Sequence, residues 1–339
     1  MKAKSAAIQG ALAGVALLAA FATWQRAPEA PGAGNEVVAL DLGKSDLLAV
    51  RLRTPEATVE VKRDGEVVWV HSAPVPKPPP APAADAGTAA DAGVPPFTPP
   101  PPPPPRDMKG NDLAEKALQK FAPMRALRSL GKLPPEKLKE MGLDQPKRTL
   151  TVVERGGQEH AFKVGNAMPG AGSPYLQGAD GTVYLVASTV ISQLEGASTQ
   201  LVDRRVHAFK QQEVEGLLVK AGDKQRELVQ TMGDQGAVRV ASKKTPDKPD
   251  DFARNWADKV WRLMSVEVLG KGETPAAGEP KVEGRLEYLR RGKPLGFVDL
   301  ARGASGELYL RSEHTAGWVK AHRRADEVLG EIKKVLEPG

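Results

Sequence analysis

Met141-Gly-Leu-Asp-Gln-Pro146 opens the stretch that decides the fold. Beyond it Leu150 and Val152 alternate with polar residues, Gly156-Gly157 marks a turn, and Phe162 and Val164 alternate again. A glycine-rich loop then leads to Gly181-Thr-Val-Tyr-Leu-Val186. A period of two places successive side chains on opposite faces of a strand. Met141 to Val186 therefore predicts a three-stranded antiparallel unit: a hairpin, a loose loop and a third strand.

Upstream, Pro134 to Met141 predicts a short helix, with prolines in the first turn, where they are tolerated, and Gly142 as its C-terminal cap. Before that, Asn111-Asp112 cap a helix whose stripe is Leu113, Ala117, Phe121, Met124 and Leu127, with a kink expected at Pro123. Residues 37–72 alternate as strands, with Arg63-Asp64-Gly65 as a hairpin turn. Between these regions, residues 73–106 are rich in proline, alanine and glycine and end in an unbroken proline run. Such a segment buries no core and favours extended polyproline II, so it reads as an insertion within one domain.

At the N-terminus, Lys2 and Lys4 precede an apolar run over 6–24 that ends at Trp24. A run of this kind nearly spans a bilayer, and the lysines favour a cytoplasmic N-terminus. The expectation is an uncleaved signal anchor, with 1–5 as a cytoplasmic stub and 25–36 as a linker. The alternative is a cleaved signal peptide with Ala20-Phe21-Ala22 at its site.

Downstream, the pattern returns. Val214–Ala221 matches Leu47–Thr54, and Val238-Arg-Val240 falls where Trp69 lies in the first copy. A helix capped by Asp250 or Asp251 carries Phe252, Trp256, Val260, Leu263 and Val266. Leu286–Arg290 and Phe297–Leu300 form a second hairpin, Gly306–Leu310 mirrors Gly181–Leu185, and Ser188 and Asp326 begin helices. Six elements in the same order, twice, predict a duplication.

The chain of 339 residues carries 48 Lys and Arg against 42 Asp and Glu, net +6, and no cysteine. Disulfides, thiolate metal sites and a cysteine nucleophile are thereby excluded. The excess charge is scattered, with no zinc spacing or helix-turn-helix pattern, so no nucleic-acid partner is expected. The five histidines are far apart and make no HxxxH or HxH pair, so they read as surface or strand-face residues. No phosphate-loop or nucleophile-elbow pattern occurs. Glu213 and Glu215 read as the solvent side of an edge strand. Asp144 reads as capping its turn through its carboxylate, and Tyr184 and Tyr309 as equivalent packing residues.

The strand, Trp69 and helix order, Met141-Gly-Leu-Asp-Gln-Pro146, Val164-Gly165, Tyr175, Val183-Tyr184-Leu-Val186 and Asp203-Arg204 resemble the bacterial domain-of-unknown-function family 4340. The resemblance covers most of residues 37–270. It implies an envelope protein with one membrane helix, often encoded beside gliding-motility-type ABC transporter components, and it brings no catalytic residues.

The expected fold is α+β: two tandem related modules of antiparallel strands with packed helices, residues 37–205 and 206–339, preceded by one N-terminal membrane helix. The expected protein is non-catalytic and single-pass in the cytoplasmic membrane, with its bulk outside the cytoplasm. It is expected to bind protein partners as an accessory or scaffold subunit of an ABC-type transport or motility complex. A binder of anionic envelope polymer is the alternative. No catalytic residue, cofactor or metal is expected. Gly142, Leu143, Asp144 and Pro146 form the family-signature turn, and Arg204 and Arg205 are the candidate partner surface.

Overall fold

The computed structural model describes residues 36–75, 104–233, 236–322 and 325–337. The expected membrane segment 6–24 and most of the proline-rich insertion lie outside these residues. Among the described residues, no helix is long and apolar enough to cross a membrane.

Alternation in the sequence becomes strands whose apolar residues share one face. The first half supplies β1 (Val37–Leu40), β2 (Leu47–Arg53), β3 (Ala57–Asp64), β4 (Val67–Pro74) and β5 (Arg106–Lys109). It continues with α1 (Asp112–Gln119), β6 (Met124–Ala126), β7 (Arg128–Lys132) and α2 (Pro135–Glu140). Then come β8 (Arg148–Glu154), β9 (Glu159–Ala167), β10 (Pro174–Gln177), β11 (Thr182–Leu185), α3 (Ser188–Glu195) and α4 (Ala197–Gln200). Nine of these strands form one antiparallel sheet in the order β5-β4-β3-β2-β8-β9-β10-β11-β7, while β1 pairs with β6 alone. Helices α1, α3 and α4 cover the face that carries Val50, Leu52, Val61 and Val70, all fully buried. Gly65, at φ +59°, makes the β3–β4 turn that a side chain would resist. Insertion 73–106 joins direct neighbours, since Ser72 pairs with Arg106.

The second half repeats the plan. It contains β12 (Gly216–Ala221), β13 (Lys224–Met232), β14 (Val238–Ser242), β15 (Thr245–Pro249), α5 (Asp251–Trp261) and β16 (Ser265–Val268). After a connection without a helix come β17 (Lys281–Arg290), β18 (Lys293–Arg302), β19 (Leu308–Ser312), β20 (Val319–Ala321) and α6 (Ala325–Leu336). Its sheet order is β15-β14-β13-β12-β17-β18-β19-β20-β16, which reproduces the first sheet strand for strand. The protein is therefore α+β, with two nine-stranded antiparallel sheets of the same topology.

Several expectations change. The glycine-rich loop after Val164 holds a strand of its own, β10, so the central unit has four strands. Tyr309 consequently sits in β19, the counterpart of β10, and Tyr184 in β11; the two tyrosines are not equivalent. The Asn111-capped helix stops at Gln119 instead of running to Leu127, because the residue before Pro123 is pushed out of helical conformation. Met124 then lies in β6. Both helix stripes hold where expected at Ala117, Trp256 and Val260, but their first positions move on by one residue. Ala114, Ala117 and Leu118 are buried in α1, as are Ala253, Trp256 and Ala257 in α5. Leu113 and Phe252, each two residues past its cap, face outward. Ala187, not Ser188, occupies the N-cap of α3, without a side-chain hydrogen bond. Glu213 lies in a 3-10 turn, and β12 is central rather than an edge strand. Glu213 pairs with Arg290, and Glu215 accepts from the Arg291 amide, so together they hold the β17–β18 turn.

The signature turn is built from backbone. Gly142, at φ +67°, follows α2, and its amide bonds to the Lys139 carbonyl while the Leu143 amide bonds to Leu138. That pair of bonds is a Schellman cap. Leu143 is fully buried, whereas Asp144 is exposed and, among the described residues, its carboxylate accepts no hydrogen bond. The expected carboxylate cap is thus replaced by the glycine cap. Gly165 explains the rest of the signature. A Cβ there would fall well inside contact of the Met141 carbonyl oxygen, and the Asn166 amide bonds to that same oxygen at 2.7 Å. Arg148 fastens the arrangement, donating to the Gly165 carbonyl at 2.6 Å and to Glu195 at 2.8 Å. Gly142→Ala would force a side chain into left-handed backbone and against Asn166, 2.9 Å away. Its expected loss is about 1–2 kcal/mol, measured by urea denaturation.

Candidate functional site

The two modules meet through unlike edges. The outer edge of β5 gives its Asp107 carbonyl to the Lys271 amide and its Lys109 carbonyl to the Asp203 amide, both at 2.8 Å. Arg106 on the same strand pairs with Glu267 and Glu273, each at 2.9 Å. The segment after α4 crosses this seam and then enters the second module. Ser312 hydroxyl donates to the Val206 carbonyl, and His207 stacks on Trp261 with centroids 4.7 Å apart.

A buried charge cluster pins the crossing. Asp203, with its side chain 3% exposed, receives a two-pronged bond from Arg205, Nε to Oδ1 at 3.0 Å and Nη2 to Oδ2 at 2.7 Å. His314, from the loop after β19, donates through Nε2 to the same carboxylate at 2.9 Å. Lys109 donates to His314 Nδ1 at 3.1 Å. Burial would raise the Asp203 carboxyl, but the hydrogen bonds from His314 and Arg205 outweigh it and hold it far below the ordinary carboxylate range. Both His314 nitrogens are occupied, so this Asp-His pair has no free nitrogen with which to accept a substrate proton.

Beside the cluster opens a cleft of about 870 Å³, walled by the start of α1, the crossing segment and the end of α5. Its lining is mainly apolar. Leu113 is 49% exposed and Met264 74% exposed, with Phe209, Trp261 and Leu263 half-buried beneath them. Arg204, Arg205 and Arg262 stand on the rim. Arg205 is committed to Asp203 and Arg262 to Asp258 at 2.9 Å. Arg204 differs: its guanidinium donates to the Val266 carbonyl at 3.0 Å and, among the described residues, meets no carboxylate. On the floor, His207 is buried, and its Nδ1 lies 3.9 Å from Glu313, beyond hydrogen-bond reach.

Of the residues singled out by sequence, Arg204 and Arg205 come together in this cleft. Gly142, Leu143, Asp144 and Pro146 do not line it; they form the turn between α2 and β8, with only Leu143 buried. The histidines divide. His207 is buried and His314 half-buried rather than on the surface, while His71 and His160 lie on strands as expected and pair with Asp107 and Glu154. Among the described residues, no group of three metal-ligating side chains converges. Sequence reasoning missed Leu113 and Met264 as exposed apolar residues, and Lys109 and His314 as partners of Asp203. A signal for Asp203 existed, since an acid beside an arginine pair has a ready counter-charge. Nothing local marks His314, which lies 111 positions away.

No curated protein matches the chain. A family model described as a domain of unknown function, DUF4340, matches residues 109–280. That span starts on β5, crosses the seam and ends before β17, so it includes every wall of the cleft. With half of its length matched, and the signature turn and the seam both inside the match, the chain belongs to the DUF4340 family.

Proposed function

We propose that the chain is a non-catalytic envelope protein, anchored in the cytoplasmic membrane through residues 6–24, that serves as an accessory or scaffold subunit of an ABC-type transport or motility complex. One observation carries this reading: the polar groups at the seam are spent on holding two modules together, while the cleft beside them leaves apolar side chains exposed. Exposed apolar surface rimmed by polar residues is the chemistry of protein docking. The matching topologies of the two sheets fit descent by duplication, which would give such a subunit two related faces. The test is crosslinking in intact cells with the tagged full-length chain, followed by mass spectrometry of the membrane fraction. Recovery of transporter permease or ATPase-associated subunits is expected. Recovery from the soluble fraction alone, without such subunits, would remove both anchor and complex.

A second reading rests on Arg204, whose guanidinium meets no carboxylate among the described residues: an anionic envelope polymer, such as a polysaccharide or peptidoglycan, bound at the seam. It requires binding that falls steeply between low and moderate salt, whereas an apolar protein contact resists salt.

A further inference from the structure

The cleft at the seam specifies its occupant more narrowly than a scaffold requires. We infer that it takes a peptide segment of a protein partner in which apolar side chains accompany an acidic residue, the carboxylate being held by Arg204. This rests on the scaffold reading for the existence of a protein partner, and it adds the partner's chemistry.

Two observations converge. First, the exposed apolar groups come from separate elements, Leu113 from α1 and Met264 from the residues after α5, and they face one space of about 870 Å³. That volume suits a few side chains, and methionine adapts to different shapes. Second, of the three rim arginines, two are neutralised by Asp203 and Asp258, and Arg204 is not. Its one bond to the Val266 carbonyl orients the guanidinium and leaves most of its five donors free, a geometry suited to a carboxylate. A polysaccharide would find hydrogen-bonding groups at Asn111, Thr199 and Gln200, but it would leave the exposed Leu113 and Met264 without an apolar partner. An apolar-acidic peptide satisfies both halves of the cleft.

The experiment selects peptides from a random displayed library on the immobilised full-length chain, alongside the variant Arg204→Met. Arg204 is exposed, so the variant is expected to keep its thermal transition. The expected result is a consensus of apolar residues with one Asp or Glu. Arg204→Met should keep the apolar positions and lose the acidic one, and a selected peptide should bind it roughly tenfold to a hundredfold more weakly. No enrichment, a consensus without an acid, or an unchanged consensus on Arg204→Met would each overturn the inference. So would salt-sensitive binding of polygalacturonate with no peptide selected, which would favour the polymer. A photo-crosslinker at Met264 separates the two readings. Transporter subunits captured through other surfaces but never through Met264 remove the cleft inference and leave the scaffold. A peptide consensus without any transporter crosslink removes the scaffold and leaves a peptide-binding cleft.

Discussion

Asp203→Ala is expected to lower folding stability at neutral pH by about 2–3 kcal/mol. The carboxylate is buried, but Arg205 is exposed enough to be rehydrated, so the loss is that of charged hydrogen bonds and not of a fully buried ion pair. Asp203 is the single acceptor for Arg205 and His314, and its own amide ties the crossing segment to β5. Removing the carboxylate leaves the guanidinium with only Asp112, 3.8 Å away, and leaves the His314 Nε2–H without an acceptor. The loss should therefore concentrate at the seam, and faster amide exchange at Asp107, Lys109 and Lys271 would report it. Asp203→Asn should lose less than Ala but not nothing. Its one carbonyl oxygen can still accept from His314 and Arg205 Nη2, while its NH2 faces the Arg205 Nε–H.

The pH dependence has a definite sign. The Asp203 carboxyl is held below its ordinary value in the folded protein, so it contributes stability that is fully present above the unfolded pKa of about 3.9. That contribution is lost as pH falls through the folded value. The gap between the native protein and Asp203→Ala, measured by urea denaturation, should be constant near neutrality and shrink below about pH 4. A gap that stayed constant in acid would show that packing, not charge, holds the crossing.

The repeat was legible because strand alternation and helix caps are local. Asn111 and Asp250 cap equivalent helices as the sequence predicts, and six strands of each sheet alternate where expected, while the short strands β5, β7, β10, β15, β16 and β20 complete the sheets without a pattern of their own. Register was less legible. Pro174–Gln177 is too short to declare itself as a strand, and missing it displaced the pairing of Tyr184 with Tyr309 by one strand. The first position of each helix stripe was harder to read for a related reason. Leu113 and Phe252 are apolar and correctly spaced, but small alanines at Ala114 and Ala253 face the sheet instead, because they let the helices approach it closely. Of the cleft, sequence could offer only Arg204 and Arg205. Its other walls come from α1 and from the end of α5, and their meeting is a property of the seam between modules.

Trp256→Ala is the second large effect, with an expected loss of about 3–5 kcal/mol. Trp256 is fully buried in α5, and its indole N–H donates to the Val328 carbonyl of α6 at 2.8 Å. Lys259 reaches Glu331 at 2.7 Å across the same two helices, but that pair is solvent-exposed and cannot replace the packing. Its counterpart in α1 is Ala117, so the first module makes no equivalent contact and depends less on one side chain. Trp256→Phe should lose only about 1–2 kcal/mol, because it keeps most of the buried area while giving up one hydrogen bond. The variants also test how far the modules are coupled. One hydrophobic core runs from Leu42 through Val202, Val206 and Val214 to Val335, so Trp256→Ala should shift a single cooperative transition in calorimetry. Two separated transitions, with only the upper one unchanged from the native protein, would mean that the seam does not transmit stability from the second module to the first.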